Sequence, residues 1–211
     1  MPEIIETPIF YRIGNNLSVD FVNTRIADNG KPKDLLTKFA DFTAWAAAMD
    51  LLEKEAAKQL QADWQESREI EQIFAQILEF RETLYLMIEG VLKGQTVKPT
   101  AITAINGVLQ NKIGFVEVTS SEAGFVKRFR ADFSEPRQLL APIAESAADL
   151  LCYGNPAYLK KCESDLCVLH FYDTTKNHSR RWCSMAGCGN RAKAAAFYRR
   201  QQKNLKNKDS D

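Results

Sequence analysis

Cys162-Glu163-Ser164-Asp165-Leu166-Cys167 and Cys183-Ser184-Met185-Ala186-Gly187-Cys188 determine how the C-terminal part of this chain folds. Each stretch is a C-x4-C pair, and fifteen residues separate the two pairs. Two close pairs brought together by a hairpin-sized segment suit a tetrahedral site of four thiolates. The spacing therefore predicts one structural Zn²⁺ bound by Cys162, Cys167, Cys183 and Cys188.

Two alternatives to this ligand set remain open at the level of the sequence. The four cysteines could be buried without a metal, or one of them could be replaced by His170 or His178, which both lie between the pairs. Because four cysteines already complete a tetrahedral shell, a histidine ligand is unnecessary and no coordination position is left for catalysis. The fifth cysteine, Cys152, lies outside the pattern, and we expect it to be a small buried hydrophobic residue.

The residues around the cysteines predict a treble-clef-like zinc finger. The first pair forms a turn, residues 168–173 have the composition of a strand, and residues 180–183 return as a second strand. The second pair leads into a basic helix over residues 189–203, which places Cys188 at a helix N-terminus. The free N–H groups and the dipole at that end of a helix favour a thiolate.

The charge of the chain is divided unevenly along its length. The net charge of all 211 residues is only +1, but residues 151–211 hold 12 Lys and Arg against 5 Asp and Glu. Residues 1–150 hold 16 basic against 22 acidic residues. The division indicates an acidic body and a basic C-terminal module. We expect a domain over residues 1–150, the finger over 151–203 and a disordered polar tail over 204–211.

The first 150 residues are predicted to form a mainly helical domain with a small β-hairpin, so the fold class of the whole chain is α+β. Apolar residues recur at helical spacing, most clearly over residues 69–92. The expected elements are a short strand over 17–24, a loop over 28–32, helices over 37–49, 53–64, 69–92, 100–109 and 136–150, and hairpin strands over 114–118 and 125–130.

The first ten residues and the hydropathy of the chain bear on where the protein acts. The N-terminal MPEIIETPIF has no basic segment before an apolar run, and no stretch approaches eighteen uninterrupted apolar residues. We therefore expect no membrane association and a cytoplasmic location, where clustered cysteines are more often metal ligands than disulfides.

The sequence carries no motif of a common catalytic site. It has no H-E-x-x-H, Walker, G-x-S-x-G or G-x-G-x-x-G pattern, so we expect that the protein is not an enzyme. A polar cluster, Asp20, Asn23 and Thr24, follows the apolar start of the predicted strand over 17–24. This cluster is either a ligand pocket or a network that caps a turn and a helix.

Basic residues in the finger indicate contact with nucleic acid, since rows of Lys and Arg near a helix suit phosphate groups. Phe197 and Tyr198 lie among them and are expected to pack on the finger. For Arg180, Arg181 and Arg191, bracing of the zinc site is an equally good interpretation. The candidate nucleic-acid-binding residues are Arg180, Arg181, Arg191, Lys193, Arg199, Arg200 and Lys203.

Two stretches resemble a known family of bacterial proteins. The run RRWCSMAGCGNRAK over residues 180–193 closely resembles the signature of the CGNR zinc finger, and Phe171, Asp173 and Thr175 also fit it. The run LSVDFVNT over residues 17–24 is similar to the opening motif of the ABATE domain, with Val19 in place of the usual leucine. The resemblance covers nearly the whole chain.

The resemblance implies an ABATE α/β domain followed by a finger, in a family described as stress-induced transcription regulators. The leading interpretation is a zinc-dependent regulator whose finger contacts DNA and whose N-terminal domain senses a ligand or forms a homodimer. A second is a protein-interaction module in which the zinc finger is purely structural. A third is an enzyme that uses the polar cluster at residues 20–24.

Overall fold

The computed structural model describes residues 10–28, 30–64, 67–121 and 124–208, with backbone alone at 128–130 and 203–208. The helices are α1 Leu17–Val22, α2 Phe39–Ala48, α3 Lys54–Trp64, α4 Ile70–Leu92, α5 Pro99–Gln110, α6 Leu140–Tyr153 and α7 Asn190–Lys208. The strands are β1 Arg25–Asp28, β2 Lys31–Asp34, β3 Gly114–Ser121, β4 Gly124–Ala131, β5 Leu159–Lys161 and β6 His170–Tyr172. They pair as three antiparallel hairpins, β1–β2, β3–β4 and β5–β6. None of the helices described is long and apolar enough to cross a membrane.

Helix α4 is the central element of the N-terminal domain. Its 23 residues bury one face, which includes Ile73, Ile77, Leu84 and Ile88, each fully buried. These residues recur at the three- and four-residue spacing of a helix face, so the sequence pattern alone located this element correctly. Helices α1, α2, α5 and α6 contribute most of the rest of the same apolar core, to which Leu60 of α3 and Leu159 of β5 also belong.

Residues 17–24 form helix α1 and a following turn, so the predicted strand is wrong. The Asn16 side chain accepts a hydrogen bond from the Val19 N–H and caps the helix, and the Asn23 N–H bonds to the Val19 carbonyl at 2.9 Å. Helix α1 is buried from Ser18 to Val22. Burial on every side removes the alternation that distinguishes a strand from a helix in so short a run.

Two other local predictions are corrected by the structure. Of the loop expected over residues 28–32, Asp28 belongs to β1, and Lys31 and Pro32 belong to β2, where Pro32 is paired with Ala27. Residue 29 lies outside the described residues. The strand expected over residues 180–183 is absent from the described finger, because β6 pairs with β5, in the register Leu159 with Tyr172 and Lys161 with His170. Strands of three residues are too short to leave a periodic signal in the sequence.

Helix α7 extends beyond residue 203, where the sequence pattern predicted its end. It continues to Lys208, so residues 204–208 are helical although a disordered tail was predicted there, and residues 209–211 lie outside the described part of the chain. Cys152 is exposed on α6 and is not the buried residue that was expected.

The finger packs directly against the N-terminal domain. The Asn23 side chain donates to the His170 carbonyl at 2.8 Å and accepts from the His170 N–H at 2.9 Å. The Tyr172 N–H donates to the Gly14 carbonyl at 2.7 Å, and Leu159 of β5 belongs to the apolar core of the domain. Strands β5 and β6 therefore hold the cysteine-bearing turn in a fixed place relative to α1 and α4.

Candidate zinc centre and basic helix

The four predicted ligands converge on one point. The Sγ atoms of Cys162, Cys167, Cys183 and Cys188 all lie within 4.8 Å of one another. Two of the separations are 3.7 Å, between Cys167 and Cys183, and 3.5 Å, between Cys183 and Cys188. A regular ZnS₄ tetrahedron with Zn–S bonds of about 2.3 Å has sulfur–sulfur edges of roughly 3.8 Å. The cluster therefore has the size and donor set of a structural zinc site.

Local backbone structure positions each pair of cysteines. Cys162 and Cys167 lie in the turn that joins β5 to β6, where the Cys162 N–H bonds to the Leu169 carbonyl at 2.9 Å. The Cys183 N–H donates to the Cys162 Sγ at 3.3 Å, which ties the second pair to the first. Cys188 lies in a wide helical turn, Met185–Gly189, that is capped by Ser184 and continues into α7. The fourth ligand is at a helix N-terminus, as predicted.

The electrostatics of the cluster require a cation if all four sulfurs are to be ionised. Burial raises the pKa of the Cys162 thiol to about 11. The hydrogen bond to Cys167, together with burial, raises the pKa of Cys183. The hydrogen bond from Cys183 lowers the pKa of Cys167 to about 5. Burial and the bonds between the sulfurs thus oppose ionisation of Cys162 and Cys183, and a bound Zn²⁺ would supply the charge that stabilises their thiolates.

One positive side chain lies directly against the sulfurs. The Arg191 Nη2 donates to the Cys188 Sγ at 3.0 Å, and this hydrogen bond raises the pKa of the Arg191 guanidinium. A Zn²⁺ with four thiolates carries a formal charge of −2, which Arg191 partly neutralises. Arg191 therefore has a structural partner in the finger.

We expect zinc affinity to fall as the pH falls, because each ligand that is protonated in the free protein must lose its proton on binding. The decrease should be at least about tenfold per pH unit below neutrality. A chromophoric zinc chelator, titrated against the zinc-loaded protein between pH 8 and pH 5, measures it. Zinc affinity that does not change over this range would contradict a four-thiolate site.

Both histidines have other partners, so the histidine-ligand alternative is wrong. The His170 Nε2 lies 2.9 Å from the Glu89 Oε1 at the base of the finger. The His178 ring stacks on Tyr158 with a centroid distance of 3.5 Å, and its Nδ1 lies 2.9 Å from the Asp173 carbonyl. Within the described part of the chain, the cysteines alone form the sulfur cluster.

Asp173 is a buried carboxylate that organises the loop between the two cysteine pairs. It accepts hydrogen bonds from the Lys160 Nζ at 2.7 Å, the Arg180 N–H at 2.8 Å, and the N–H and hydroxyl of Thr175 at 3.0 and 2.6 Å. Burial would raise the pKa of Asp173, but these hydrogen bonds outweigh it and hold the pKa below its ordinary value. In the sequence Asp173 stood out only as a residue that fits the CGNR signature, although an Asp two residues before a Thr is a common turn signal.

Two of the candidate DNA-contacting arginines make contacts inside the finger. The Arg180 guanidinium lies over the Phe171 ring at 4.0 Å and donates to the carbonyls of Ile13, Trp182 and Cys183, which joins the finger to the N-terminal segment. Arg181 is exposed and pairs with Glu163 at 2.6 Å. Together with Arg191, each of the three arginines has a partner within the protein, as the bracing interpretation expects.

The remaining candidates lie on α7. Lys193, Arg199 and Arg200 are exposed, and none of them has an ion pair with a described residue. Residues 190–208 contain no Asp or Glu. The Lys203 backbone is part of α7, but its side chain lies outside what the structure describes. Helix α7 therefore presents uncompensated positive charge to solvent.

Phe197 and Tyr198 also lie on the exposed part of α7. Their exposed fractions are 51% and 65%, and their rings contact each other edge-to-face at 5.9 Å. The expectation that they pack on the finger is wrong, because α7 leaves the finger soon after the Cys188 turn. Two large aromatic rings are therefore exposed on a basic helix.

The polar cluster of the N-terminal domain is engaged in hydrogen bonds within the protein. The Asp20 Oδ1 accepts from the N–H groups of Ile13 at 2.9 Å and Gly14 at 2.7 Å, and burial raises the pKa of Asp20. Thr24 accepts from the buried Arg81 guanidinium at 2.8 Å. Together with the two Asn23 bonds to His170, these contacts tie α1 and the turn after it to the Ile13–Gly14 segment, to α4 and to the finger. A ligand pocket at Asp20, Asn23 and Thr24 stays a prediction.

Comparison with known protein families agrees with the resemblance found in the sequence. The ABATE family model, described as "Putative stress-induced transcription regulator", matches residues 15–154. The model described as "CGNR zinc finger" matches residues 158–201. No curated protein matches the chain. The two matches meet at the junction where β5 begins, between α6 and the first cysteine pair.

Proposed function

The chain belongs to the ABATE family and carries a CGNR zinc finger, and we propose that it is a zinc-dependent transcription regulator that binds DNA through helix α7. One observation carries the proposal. Helix α7 is basic along its length, contains no acidic residue and is exposed at residues 193–195 and 197–202, while its N-terminus is attached to the zinc centre.

The dimensions of α7 suit the major groove of DNA. Its 19 residues span about 28 Å, and a helix with its side chains is about 10–12 Å wide, close to the width of the groove. Lys193, Phe197 and Arg200 follow each other at helical spacing and share one face. This face offers two cations for phosphate or guanine contacts, with an apolar ring between them.

Zinc has a structural role in this proposal. The closed shell of four cysteines leaves no coordination position for a substrate, so in this proposal the zinc itself is not a catalytic metal. The metal fixes the turn Met185–Gly189, from which α7 begins, and Arg180 fixes that turn against the N-terminal domain. The N-terminal domain then senses a ligand or forms a homodimer. We place this regulator in the cytoplasm, where its thiols stay reduced.

The exposed Phe197 and Tyr198 favour a second candidate function. In that alternative the finger is a structural clamp, and α7 lays its aromatic and basic residues against an acidic protein partner. The two functions differ in one respect that can be measured, because contacts to DNA phosphates release bound counterions and make the affinity strongly salt-dependent.

We expect the zinc-loaded protein to bind random-sequence duplex DNA with an affinity that decreases steeply with salt. Each phosphate contact contributes about −0.9 to the slope of log K against log[salt]. Fluorescence anisotropy of a labelled 24-base-pair duplex between about 25 and 300 mM KCl measures this slope. Combined Lys193→Glu, Arg199→Glu and Arg200→Glu should lower the affinity by about 100-fold or more and flatten the slope.

The matched control reverses three exposed lysines of the N-terminal domain. Lys31→Glu, Lys33→Glu and Lys54→Glu change the net charge by the same amount but lie outside the finger. These three substitutions should leave most of the DNA affinity of the wild type. Equal losses in the two triple variants would show that net charge and not α7 binds DNA. No binding by the wild type even at the lowest salt would reject DNA as the partner and favour the protein-interaction alternative.

A further inference from the structure

The β3–β4 hairpin is an apolar arm whose two faces are both exposed. Its strands are paired over eight residues each, from Gly114 with Ala131 to Ser121 with Gly124. An isolated two-stranded hairpin is at best marginally stable in water, and exposed apolar patches mark interaction surfaces. The large hydrophobic residues on or beside it are exposed to the following extents: Ile113 53%, Phe115 59%, Val116 56%, Val118 66%, Phe125 83% and Val126 41%.

An apolar groove of about 540 Å³ lies at the base of this arm, between α4, α5 and α6. We call it the α5 groove. Phe80, Ala104, Val108 and Leu140 line it, and polar side chains such as Glu79 form its rim. An apolar floor with a polar rim is the usual composition of a protein-binding site. The groove also includes Ile113, the residue immediately before β3.

The tip of the arm and the α5 groove are one hairpin length apart. Eight strand residues span about 27 Å, with Phe125 at the far end and Ile113 at the near end. When two such arms lie antiparallel across a twofold axis, the tip of each arm reaches the base of the other. We propose that this chain forms a homodimer by reciprocal arm contact, in which Phe125 of each copy occupies the α5 groove of the other.

The charges beside Phe125 and beside the α5 groove are complementary. Lys127 follows Phe125 by two residues and therefore lies on the same face of β4. Neither Lys127 nor Glu79, on the rim of the groove, has an ion pair with a described residue of its own chain. In the proposed dimer Lys127 of one copy comes close to the rim that carries Glu79 of the other, and this pair fixes the register of the arm.

The occupant of the groove is a second copy because both halves of the contact are present on one chain. A twofold interface requires a self-complementary surface. Phe125 and the α5 groove lie on the same chain, so a twofold dimer would form the same contact twice. The net charge of +1 gives no strong repulsion between copies. This inference deepens the dimerising role proposed for the N-terminal domain, and the dimer would present two α7 helices to DNA.

The mass of the zinc-loaded full chain in solution tests the proposal. Light scattering after size-exclusion chromatography should give twice the chain mass of 23.9 kDa. Phe125→Asp should raise the dimer dissociation constant about 30-fold or more, because it replaces a central apolar anchor with a charge. Tyr153→Asp is the matched control, since Tyr153 is 85% exposed on α6, and it should remain dimeric. A wild type that is still monomeric at about 100 μM would overturn the proposal.

A second variant tests the groove without weakening the fold. A Cβ built at Gly107, which lines the groove from α5, meets no atom within 4 Å. Gly107→Glu therefore fits the monomer, and an interior helix position prefers Glu to Gly. It should dissociate the dimer as Phe125→Asp does, with an unchanged circular dichroism spectrum. A dimer that tolerates Gly107→Glu would overturn the assignment of the groove.

DNA binding separates this inference from the proposed function. The Phe125→Asp monomer keeps α7, so at low salt it should still bind DNA, more weakly than the wild type. The triple α7 variant should remain dimeric and lose DNA binding. A wild type that is dimeric but fails to bind DNA would reject the proposed function alone, and a wild type that binds DNA as a monomer would reject the arm contact alone.

Discussion

Cys188→Ser will release zinc and unfold the finger, while the N-terminal domain stays folded. A serine hydroxyl does not ionise near neutral pH and cannot replace the fourth thiolate. In small zinc modules the metal-binding free energy, about 10–16 kcal/mol, is folding free energy. The finger has little else to stabilise it, since the only non-cysteine residues buried in its apolar cluster, among those described, are Leu169 and Phe171.

The N-terminal domain has an apolar core of its own. That core is built around α4 and includes the stacked rings of Phe42 and Trp45, with centroids 5.8 Å apart, and none of the four ligands belongs to it. Melting followed by circular dichroism should therefore retain the helical transition of the domain. It should shift down by a few degrees, because the contacts of Asn23 with His170 are lost with the finger.

Zinc content, measured as metal per chain by inductively coupled plasma mass spectrometry, is the direct measurement. The wild type should bind one zinc per chain, and Cys183→Ser should lose it as Cys188→Ser does. Cys152→Ser is the matched control, because Cys152 is exposed on α6 and outside the sulfur cluster. If Cys188→Ser kept one zinc and an unchanged melting profile, the four-cysteine assignment would be wrong.

The ligand set could be predicted from the sequence because its geometry is local. Each C-x4-C pair needs only one turn to bring its two sulfurs together, and a short hairpin brings the pairs together. Helix α4 was predictable for a similar reason. Over its 23 residues the helical spacing of apolar residues repeats often enough that a few residues that break the pattern do not hide it. Long periodic elements and closely spaced ligands carry their structural information within the segment itself.

Elements defined by distant contacts could not be predicted in this way. Helix α1 has six residues, and its burial on all sides comes from α2, α4, α6 and strand β6 of the finger. The pairing of β5 with β6 depends on three residues in each strand. No pattern within these segments distinguishes a helix from a strand, so the tertiary environment decides between them.

The roles of the finger arginines show the same limit. For Arg180 the sequence favoured bracing of the finger and contact with DNA equally. The structure shows the bracing contact, a hydrogen bond from Arg180 to the Ile13 carbonyl, and Ile13 lies 167 residues earlier in the chain. Arg191 was ambiguous because its Sγ partner becomes visible only when the turn Met185–Gly189 is formed. The structure also shows that Lys193, Arg199 and Arg200 form no ion pair with a described residue. The sequence could not show this, because an acidic residue far away in the chain can lie close in space.

The second large effect is expected at Asp173. Asp173→Asn removes the charge that the Lys160 ammonium contacts at 2.7 Å and leaves that cation without its buried partner. Disrupting one half of such a pair costs about 2–4 kcal/mol, and because the finger folds with its metal, the cost appears as zinc affinity lowered by about 30- to 1,000-fold. Competition with a chelator of known affinity measures it at pH 7.

The matched control is Asp165→Asn. Asp165 lies in the first cysteine turn but is exposed, so this substitution should leave the zinc affinity nearly unchanged. A Lys160→Met variant completes a double-mutant cycle with Asp173→Asn, in which the two losses should be far from additive because they remove the same contact. Additive losses would show that the Asp173 carboxylate acts mainly through Thr175 and Arg180.

The pH dependence of the Asp173 effect follows from the direction of its pKa shift. The hydrogen bonds hold the pKa of Asp173 below its ordinary value near 4, so the folded finger binds the charged carboxylate preferentially. The stabilisation is therefore complete above about pH 5 and is lost only as the pH falls below the ordinary pKa. Between pH 6 and pH 8 the zinc affinities of wild type and Asp173→Asn should both change with pH, because the cysteines titrate, but their ratio should stay constant. A ratio that shrinks towards pH 6 would mean that the carboxylate gains a proton in that range, and the buried ion pair with Lys160 would then not be what holds the loop between the two cysteine pairs.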